Sequence, residues 1–407
     1  MSRVTLLLFA LLTLASFPIA VTAVDDDTCA EEQHEQEEQK RLLKKKLVTV
    51  ELYGRAETDL MFTKYLHAAQ AFTRFFHIRE LTAVNKKEKQ KIVRMNRDTL
   101  YSVAIIDFAK CTPSGVKIVF PPSDVIGERY VNAQVISQSH ESVASKYPTD
   151  DDDRRTGINF TRGDVGTDKA WLMIRTFTDG SGGDLRQAHA VQDAFRIAPI
   201  NDMEGDEESC DEARLEFLQS AQMWDQQSLA TVRDLLKSLH THSSVTPAKF
   251  FGANRDSLNF LYYLFGVATG WGGLPASESM YFFGPTDPDV NTNGHVAYQM
   301  AISNKNLPLK RNLKTGKFLG FWSITVYDKD GFMVPNALSV YNINSATVAY
   351  VGDTANITFA PEATCVASPT NCLPITPSWN YIIRMYIPDQ SLIDGSYKMP
   401  KLRRVEP

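Results

Sequence analysis

Three consecutive polar residues, Asn96, Arg97 and Asp98, stand directly before a run of β-branched and aromatic residues. At the end of a strand, a guanidinium can clamp an anionic group while a neighbouring carboxylate takes up or gives a proton. We therefore predict that Arg97 and Asp98 are catalytic groups in a pocket, with Asn96 and Tyr101 binding the ligand. The alternative is an Arg–Asp pair that only satisfies the polar groups of a buried strand end.

A second polar set, Gln134, Gln138 and His140, follows on what should be a neighbouring strand. Their numbers have the same parity, so the three side chains share one face if the strand continues without a bulge. Such a face is more typical of a polar cavity than of a core, and an imidazole that titrates near neutrality would be its proton carrier. We predict His140 as the third catalytic residue and both glutamines as ligand-binding residues.

Two tryptophans, Trp271 in the GWGG segment 270–273 and Trp322 after Phe321, are candidate ligand-binding residues. An aromatic ring beside flexible backbone is suited to stacking on a sugar. Glycines also occur where a helix ends or a turn needs positive φ, and this structural interpretation stays open for the segment.

The familiar catalytic signatures are absent from the sequence, which has no G-x-S-x-G elbow, H-E-x-x-H pair, Walker loop or Rossmann glycine pattern. His240 and His242 are typical of a solvated helix end, and Asp328, Asp330 and Gly331 favour a hairpin turn over a calcium loop. We therefore predict neither a bound metal nor a cofactor.

Short β-branched and aromatic runs, separated by turns rich in Pro, Gly and Asp, must position these residues. The runs predict eight strands, at 99–108, 116–120, 129–136, 171–177, 321–327, 347–351, 356–359 and 381–387. Helical spacing predicts helices over 60–81 and 211–239, and another that Ser257 caps and that reaches Ala268. The predicted fold class is mainly β with helical segments (α+β), with two antiparallel jelly-roll-like β-sandwich modules joined by a helical region.

The N-terminus has the pattern of a secretory signal. Arg3 precedes an apolar run at 4–20 that ends in small residues up to Ala23; a signal anchor is the alternative to cleavage. No later stretch approaches the roughly 20 apolar residues that a membrane helix requires. We predict a secreted or secretory-lumen protein without a membrane span after signal cleavage. Five zones follow: signal peptide 1–23, charged flexible tail 24–50, N-terminal helix and β-sandwich module 51–183, helical bridge 184–275 and C-terminal β-sandwich module 276–407.

A secretory route gives meaning to two sequons and to the cysteines. Asn159 and Asn356 begin N-x-T sequons and are predicted glycosylation sites. Cys365 and Cys372 are predicted to form a disulfide that clips one loop. Three further cysteines are not assigned to pairs: Cys29, Cys111 and Cys210.

The composition excludes several protein classes. The 407 residues include 43 Lys and Arg against 48 Asp and Glu, and the formal charge of -5 argues against a nucleic-acid binder. With 43% hydrophobic residues the chain can bury sizeable cores, so it is neither disordered nor collagen-like. Five cysteines are too few for a disulfide-built scaffold.

Seven segments of the sequence match the motifs of a known two-module pattern in the same order. Matches of this length do not arise by chance. The segments are RFFHIRE (74–80), VRMNRDTLYS (93–102), VxxQVI (131–136), HAVQDA (189–194), GWGG (270–273), GFWSITVY (320–327) and NCLPITPSWNY (371–381). With these segments the chain resembles, over roughly residues 55–400, the two-module secreted proteins of the domain-of-unknown-function families 1254 and 1214. The resemblance implies two β-sandwich modules of jelly-roll kind, export and a homo-oligomer, and it implies no settled activity.

Two functional classes remain. One is a binding or assembly module with a polar pocket for a small molecule or glycan, because jelly-roll sandwiches serve widely as sugar-binding or self-assembling domains. The other is an extracellular hydrolase or lyase-like enzyme on a polar or carbohydrate substrate, in which Asp98 and His140 transfer protons and Arg97 holds an anion. No pair of carboxylates at a diagnostic spacing forces the enzymatic interpretation, and we favour the binding module.

Overall fold

Alternation of inward-facing and outward-facing residues along short strands builds the N-terminal module. The computed structural model describes residues 45–69, 72–81, 84, 90, 94–148, 157–201, 205–243, 245–252 and 258–406. A five-stranded antiparallel sheet has the spatial order β1 (Phe76–Ile78), β2 (Thr99–Asp107), β7 (Lys169–Phe177), β4 (Val131–Ser137) and β5 (Ser142–Lys146). A three-stranded antiparallel sheet has the order β6 (Ile158–Phe160), β3 (Val116–Val119) and β8 (Arg196–Pro199).

The two faces of the five-stranded sheet have different polarity. One face turns Val135 and Leu172 toward Ile118 of the three-stranded sheet, and these residues share a two-layer core. The other face is apolar at the end that helices cover. At its far end it becomes polar and buries Asn132 and Arg175. This polar end is where the second module makes contact.

The C-terminal module is also a sandwich of two sheets. One has the order β12 (Asn342–Asn344), β11 (Trp322–Tyr327), β15 (Asn380–Tyr386) and β9 (Ser279–Gly284). The other has the order β14 (Cys372–Ile375), β13 (Thr354–Pro361), β10 (Tyr298–Ser303) and β16 (Arg403–Arg404). All pairs are antiparallel except β13 with β14, and Ile324, Ile357 and Trp379 belong to the shared core. The predicted α+β class with two antiparallel sandwich modules is confirmed.

Helices occupy the edges of both modules and the region between them. In the described residues they are α1 (Val50–Ala69), α2 (Ser123–Ile126), α3 (Arg162–Val165), α4 (Gly182–Ala194), α5 (Glu207–Gln222), α6 (Gln226–Thr241), α7 (Phe260–Gly270), α8 (Glu362–Ala367) and α9 (Gln390–Ile393). Helices α1 and α5 cover the apolar end of the five-stranded sheet through Phe62 and Phe217, and α6 and α7 pack on α1. Residues Leu47–Pro407 form one compact unit.

The helix boundaries differ from the predicted ones. The helix predicted over 60–81 begins earlier, at Val50, and it does not reach residue 81, because residues 76–78 pair with β2 as strand β1. The pattern over 211–239 is two helices, because the Asp225 side chain accepts a hydrogen bond from the Ser228 amide at 2.7 Å and starts α6 there. Helix α7 is capped by Asn259, whereas Ser257 lies outside the described residues.

One predicted strand is absent from the described structure. Residues 347–351 follow a turn that forms when Asn344 accepts hydrogen bonds from the amides of Ala346 and Thr347, and the strand of this region is β12 at 342–344. Asp328 makes the predicted turn by accepting from the amides of Asp330 and Phe332. The other seven predicted strands correspond to β2, β3, β4, β7, β11, β13 and β15.

Two disulfides tie the fold. Cys365 pairs with Cys372, the pair expected from the sequence, and Cys111 pairs with Cys210 and so links α5 to the loop after β2. Cys29 lies outside the described residues, together with the predicted signal peptide and residues 24–44 of the predicted tail. Within the described part of the chain, none of the helices combines the length and the apolar character needed to cross a bilayer.

Candidate functional site

The polar end of the five-stranded sheet meets a polar face of the C-terminal module. The ring of Tyr130 lies 5.3 Å from that of Tyr386 and 5.2 Å from that of Phe321, between centroids. On the C-terminal face four residues stand side by side across four strands: Asn344, Ser323, Arg384 and Tyr281. We call this contact the seam and define it by Asn96, Arg97, Asp98, Tyr101, Tyr130, Gln134, Arg175, Glu278, Tyr281, Ser323, Asn342, Asn344, Arg384 and Tyr386.

Asp98 anchors the seam from the start of β2. Its side chain is fully buried, and Oδ1 accepts hydrogen bonds from the amide groups of Asn342 at 2.7 Å and Asn344 at 3.0 Å. Burial raises the pKa of Asp98, and hydrogen bonds from Ser323, Asn344 and Asn342 together with the charge of Arg384 oppose this rise. The carboxylate therefore ties two modules together.

Arg384 supplies the positive charge opposite Asp98. Its Nη2 donates to the Arg94 carbonyl at 2.7 Å and to the Tyr327 hydroxyl at 3.1 Å, and its Nη1 donates to Thr325 at 3.3 Å. The guanidinium thus fixes the residues that lead into β2.

Asn96 and Arg97 lie in the same contact. The Asn96 amide donates to the Tyr386 hydroxyl at 3.1 Å, and the Arg97 guanidinium lies 5.2 Å from the centre of the Tyr341 ring. Burial lowers the pKa of Arg97, but an arginine with this degree of shielding stays protonated. The structure thus brings Asn96, Arg97 and Asp98 together at the seam.

Arg175 organises the N-terminal side of the seam. Its Nη1 donates to Gln134 at 2.8 Å and to Asn132 at 3.3 Å, and its Nη2 donates to the Gly272 carbonyl at 2.6 Å. Gln134 in turn donates to the Gly273 carbonyl at 3.0 Å. Gln134 and the GWGG segment are therefore neighbours, and an arginine that the sequence analysis did not single out joins them.

Four buried side-chain atoms of the seam have no hydrogen-bond partner among the described residues. Oδ2 of Asp98 and Oγ of Ser323 belong to one interaction, because Ser323 lowers the pKa of Asp98, and two other atoms remain. They are the hydroxyl of Tyr130, a residue that is 6% exposed, and Oε2 of Glu278, a half-buried residue directly before β9. Burial raises the pKa of Glu278 to about 7, against the opposing charge of Lys310. The charges of Arg175 and Glu278 both act on Tyr130, so the three groups share one environment.

Gln138 and His140 do not belong to the seam, because β4 ends at Ser137 and the chain then turns. His140 lies beside it, since it contacts Gly272, to which Arg175 donates. Gln138 donates to Asp59 of α1 at 3.0 Å. The Nε2 atom of His140 accepts a hydrogen bond from the Gly272 amide at 2.9 Å, and its ring packs 5.3 Å from that of Trp271. Full burial lowers the pKa of His140 to about 3, so the imidazole stays neutral and the predicted proton carrier does not titrate near neutrality.

A pH titration checks this assignment of His140. Because the pKa of His140 is depressed when folded, its contribution to stability is present above the unfolded value of about 6.5 and is lost as the pH falls toward 3. We expect the wild type to lose about 2–3 kcal/mol more than His140→Asn between pH 7 and pH 4.5. Urea unfolding at both values measures this difference, and an equal loss in both proteins would show that His140 is not neutral when folded.

The two predicted stacking tryptophans have structural partners. Trp271 is half-buried, donates from Nε1 to Thr58 at 3.1 Å and lies 5.0 Å from the Trp171 ring. Trp322 is fully buried within the core of the C-terminal sandwich, on the face of β11 opposite the seam. No face of the Trp322 ring is open to a ligand, so the stacking role predicted for it does not fit this position.

Comparison with known proteins assigns both modules. The chain matches the family described as "Protein of unknown function (DUF1254)" over residues 72–199 and that described as "Protein of unknown function (DUF1214)" over residues 278–390. The chain is a DUF1254–DUF1214 protein. No curated protein matches it significantly.

Two solved structures are similar to the DUF1254–DUF1214 chain. The VPA0106 protein from Vibrio parahaemolyticus has a TM-score of 0.54 at 19% identity, with 88% of this chain and 98% of that chain covered. An uncharacterised protein from Burkholderia cenocepacia has a TM-score of 0.44 at 13% identity, with 95% of this chain and 91% of that chain covered. At this identity, the likeness to VPA0106 concerns the fold alone.

Both modules contribute to the seam. The DUF1254 match contains Asp98, Tyr130 and Arg175, and the DUF1214 match contains Glu278 and Arg384. Two of these residues have a signal in the sequence, because Arg384 is the only charge of β15 and Arg175 interrupts the uncharged run at 170–177 of β7. Such a charge is costly to bury without a polar partner, so a lone arginine in an apolar strand indicates a buried polar contact.

Two further predictions concern the surface of the DUF1254–DUF1214 chain and metal binding. Asn159 and Asn356 are both exposed on strands, which is the position that a glycosylated asparagine needs. Where the chain is described, no cluster of three or more His, Cys, Asp or Glu side chains is arranged to hold a metal ion.

Proposed function

We propose that the protein binds a small, hydroxyl-rich ligand of the carbohydrate class at the seam, after export to the secretory lumen or the exterior. Tyrosine, arginine and asparagine side chains from both modules would donate and accept its hydrogen bonds, while partly exposed Tyr101 and Tyr281 offer aromatic faces. Homo-oligomerisation and glycosylation at Asn159 and Asn356 remain predictions from the sequence.

One observation carries the proposal. The Tyr130 hydroxyl is buried without a hydrogen-bond partner, and it lies in the same charged environment as the unpartnered Oε2 of Glu278. Buried polar groups are nearly always hydrogen-bonded, and a group without a protein partner is satisfied by water or by a ligand. A hydroxyl-rich ligand would satisfy both groups, because its hydroxyls both donate and accept.

Binding has better support than the enzymatic alternative built on Asp98, His140 and Arg97. The Asp98 carboxylate is engaged by Asn342 and Asn344, whereas His140 is neutral and engaged by the Gly272 amide. A proton-transfer pair needs both groups free to exchange a proton with one substrate atom, and each already has a hydrogen-bond partner within the protein. The residues that remain available at the seam are ligand-binding in character.

The substitution Tyr130→Phe tests the proposal. Since the hydroxyl has no protein partner, its removal should leave the free energy of unfolding within about 0.5 kcal/mol of the wild type or raise it slightly. It should weaken binding of a sugar ligand about tenfold, the effect of one lost hydrogen bond. A glycan array finds the ligand, and calorimetry on both proteins measures the affinity.

Tyr381→Phe is the matched control. Tyr381 lies on β15 with its side chain in the sandwich core, on the face opposite the seam, so the same change there should not alter binding. The proposal fails if no sugar binds the wild type, or if Tyr130→Phe and Tyr381→Phe bind the same sugar as tightly as the wild type.

A further inference from the structure

We infer that the ligand of the seam carries an anionic group, a carboxylate on a sugar or a similar small hydroxy acid, and that this group pairs with Arg175. The inference rests on the proposed function, because it names the class of ligand that the same site would take. The observation that supports it is that the buried guanidinium of Arg175 has only neutral hydrogen-bond acceptors.

Arg175 is 5% exposed, and all of its hydrogen-bond acceptors are neutral. They are the side-chain oxygens of Gln134 and Asn132 and the carbonyl oxygen of Gly272. Among the described residues no carboxylate lies within salt-bridge distance of it, and the centre of the Tyr101 ring lies 6.0 Å from its guanidinium carbon. A buried charge without a counter-charge is costly, so the arrangement is typical of a site that an anion completes.

Two other shielded arginines of the chain have a carboxylate partner. Arg129 pairs with Asp184 at 2.7 Å and Arg233 pairs with Glu57 at 2.6 Å. The charge of Asp98 acts on Arg384 across the seam. Arg175 differs from Arg129 and Arg233, because among the described residues no carboxylate lies within salt-bridge distance of it.

The neighbours of Arg175 complete an anion site. The unpartnered Tyr130 hydroxyl is a donor, and the charges of Arg175 and Glu278 both act on it. Glu278 in its protonated form is a second donor, with Oε2 unpartnered and the exposed Lys310 nearby. A carboxylate between these groups would accept from Tyr130 and from protonated Glu278 while it neutralises Arg175. A neutral sugar would leave the guanidinium without a counter-charge.

Paired probes test the inference by calorimetry on the exported chain. D-glucuronate is compared with D-glucose, and D-galacturonate with D-galactose, at pH 6 and low salt. We expect each acid to bind at least tenfold more tightly than its neutral partner, and the preference to shrink in high salt. Arg175→Lys should keep part of the preference and Arg175→Gln should lose it.

The pH dependence is a second measurement, which does not require an Arg175 variant to fold. Affinity of the wild type for the acids should fall about tenfold from pH 6 to pH 8, because ionised Glu278 loses its proton donor and repels a carboxylate. Glu278→Gln, which stays neutral, should keep the same affinity at both values. Lys310→Gln serves as the control for the other charged neighbour and should keep the fall.

The outcomes separate the two proposals. If acids and neutral sugars bind equally well, and both lose affinity in Tyr130→Phe, the inference of an anionic ligand is wrong and the proposed function stands. A preference for acids that survives in Arg175→Gln would also overturn the assignment to Arg175. If neither acids nor neutral sugars bind the wild type, both proposals fail.

Discussion

Replacement of both Cys111 and Cys210 by serine is expected to lower the free energy of unfolding by about 4–5 kcal/mol. The bond joins residues 99 apart in sequence, so its loss releases a long loop in the unfolded chain, and the entropy gained there favours unfolding. The Cys365–Cys372 bond joins residues only 7 apart in sequence and closes a short loop. By the same relation, its loss should lower the free energy of unfolding by about 2 kcal/mol.

Denaturant unfolding of the two double-serine variants beside the wild type measures this difference. The 365–372 variant is the matched control, because it also removes one disulfide from a buried site but closes a much shorter loop. Equal losses in the two variants would show that native contacts of the cysteines, and not the length of the closed loop, set the contribution of each bond.

Local patterns predicted most of the strands and the division into two sandwich modules. Seven of eight predicted strands exist because alternation and β-branched runs act over a few residues, which a single sequence displays directly. The exceptions are positions whose secondary structure is set by a pairing partner far away in the sequence. Residues 76–78 continue a helical pattern, yet pairing with β2 makes them a strand.

Only the N-terminal module's side of the seam contains residues that the sequence predicts as site residues. Asn96, Asp98 and Gln134, predicted from the sequence as pocket residues, lie in the polar contact between the modules. Their partners Asn342 and Arg384 come more than two hundred residues later, and nothing local links them to Asp98. The seam arises from packing of two complete modules, so its composition follows from tertiary structure and not from spacing along the chain.

The error about His140 has a specific physical origin. Equal parity places Gln134, Gln138 and His140 on one face only while the strand continues, but it ends at Ser137 and His140 adopts a positive φ of 59° in the turn. The turn directs the imidazole toward the Gly272 amide among aromatic rings. A turn that contains no glycine or proline leaves little trace in the sequence, and the face assignment fails there.

Asp98→Ala is expected to lower the free energy of unfolding by about 3–5 kcal/mol. The change leaves the amide groups of Asn342 and Asn344 without their acceptor and removes the charge that faces Arg384. Each loss occurs in a fully buried contact between modules, where water cannot replace the missing partner. Urea unfolding at pH 7 measures the effect.

Asp98→Asn is the conservative control, because its side-chain oxygen can still accept from Asn342 and Asn344 and it should cost less than Asp98→Ala. Since burial raises the pKa of Asp98, the wild type should lose stability as the pH rises from about 4 through the folded-state pKa, and Asp98→Asn should not. If both variants are less stable but bind ligand normally, Asp98 is a structural tie between the modules and neither a catalytic nor a ligand-binding group. An Asp98→Ala protein within 1 kcal/mol of the wild type would contradict the energetic role that its contacts assign to it, because about 1 kcal/mol is what a single ordinary hydrogen bond contributes.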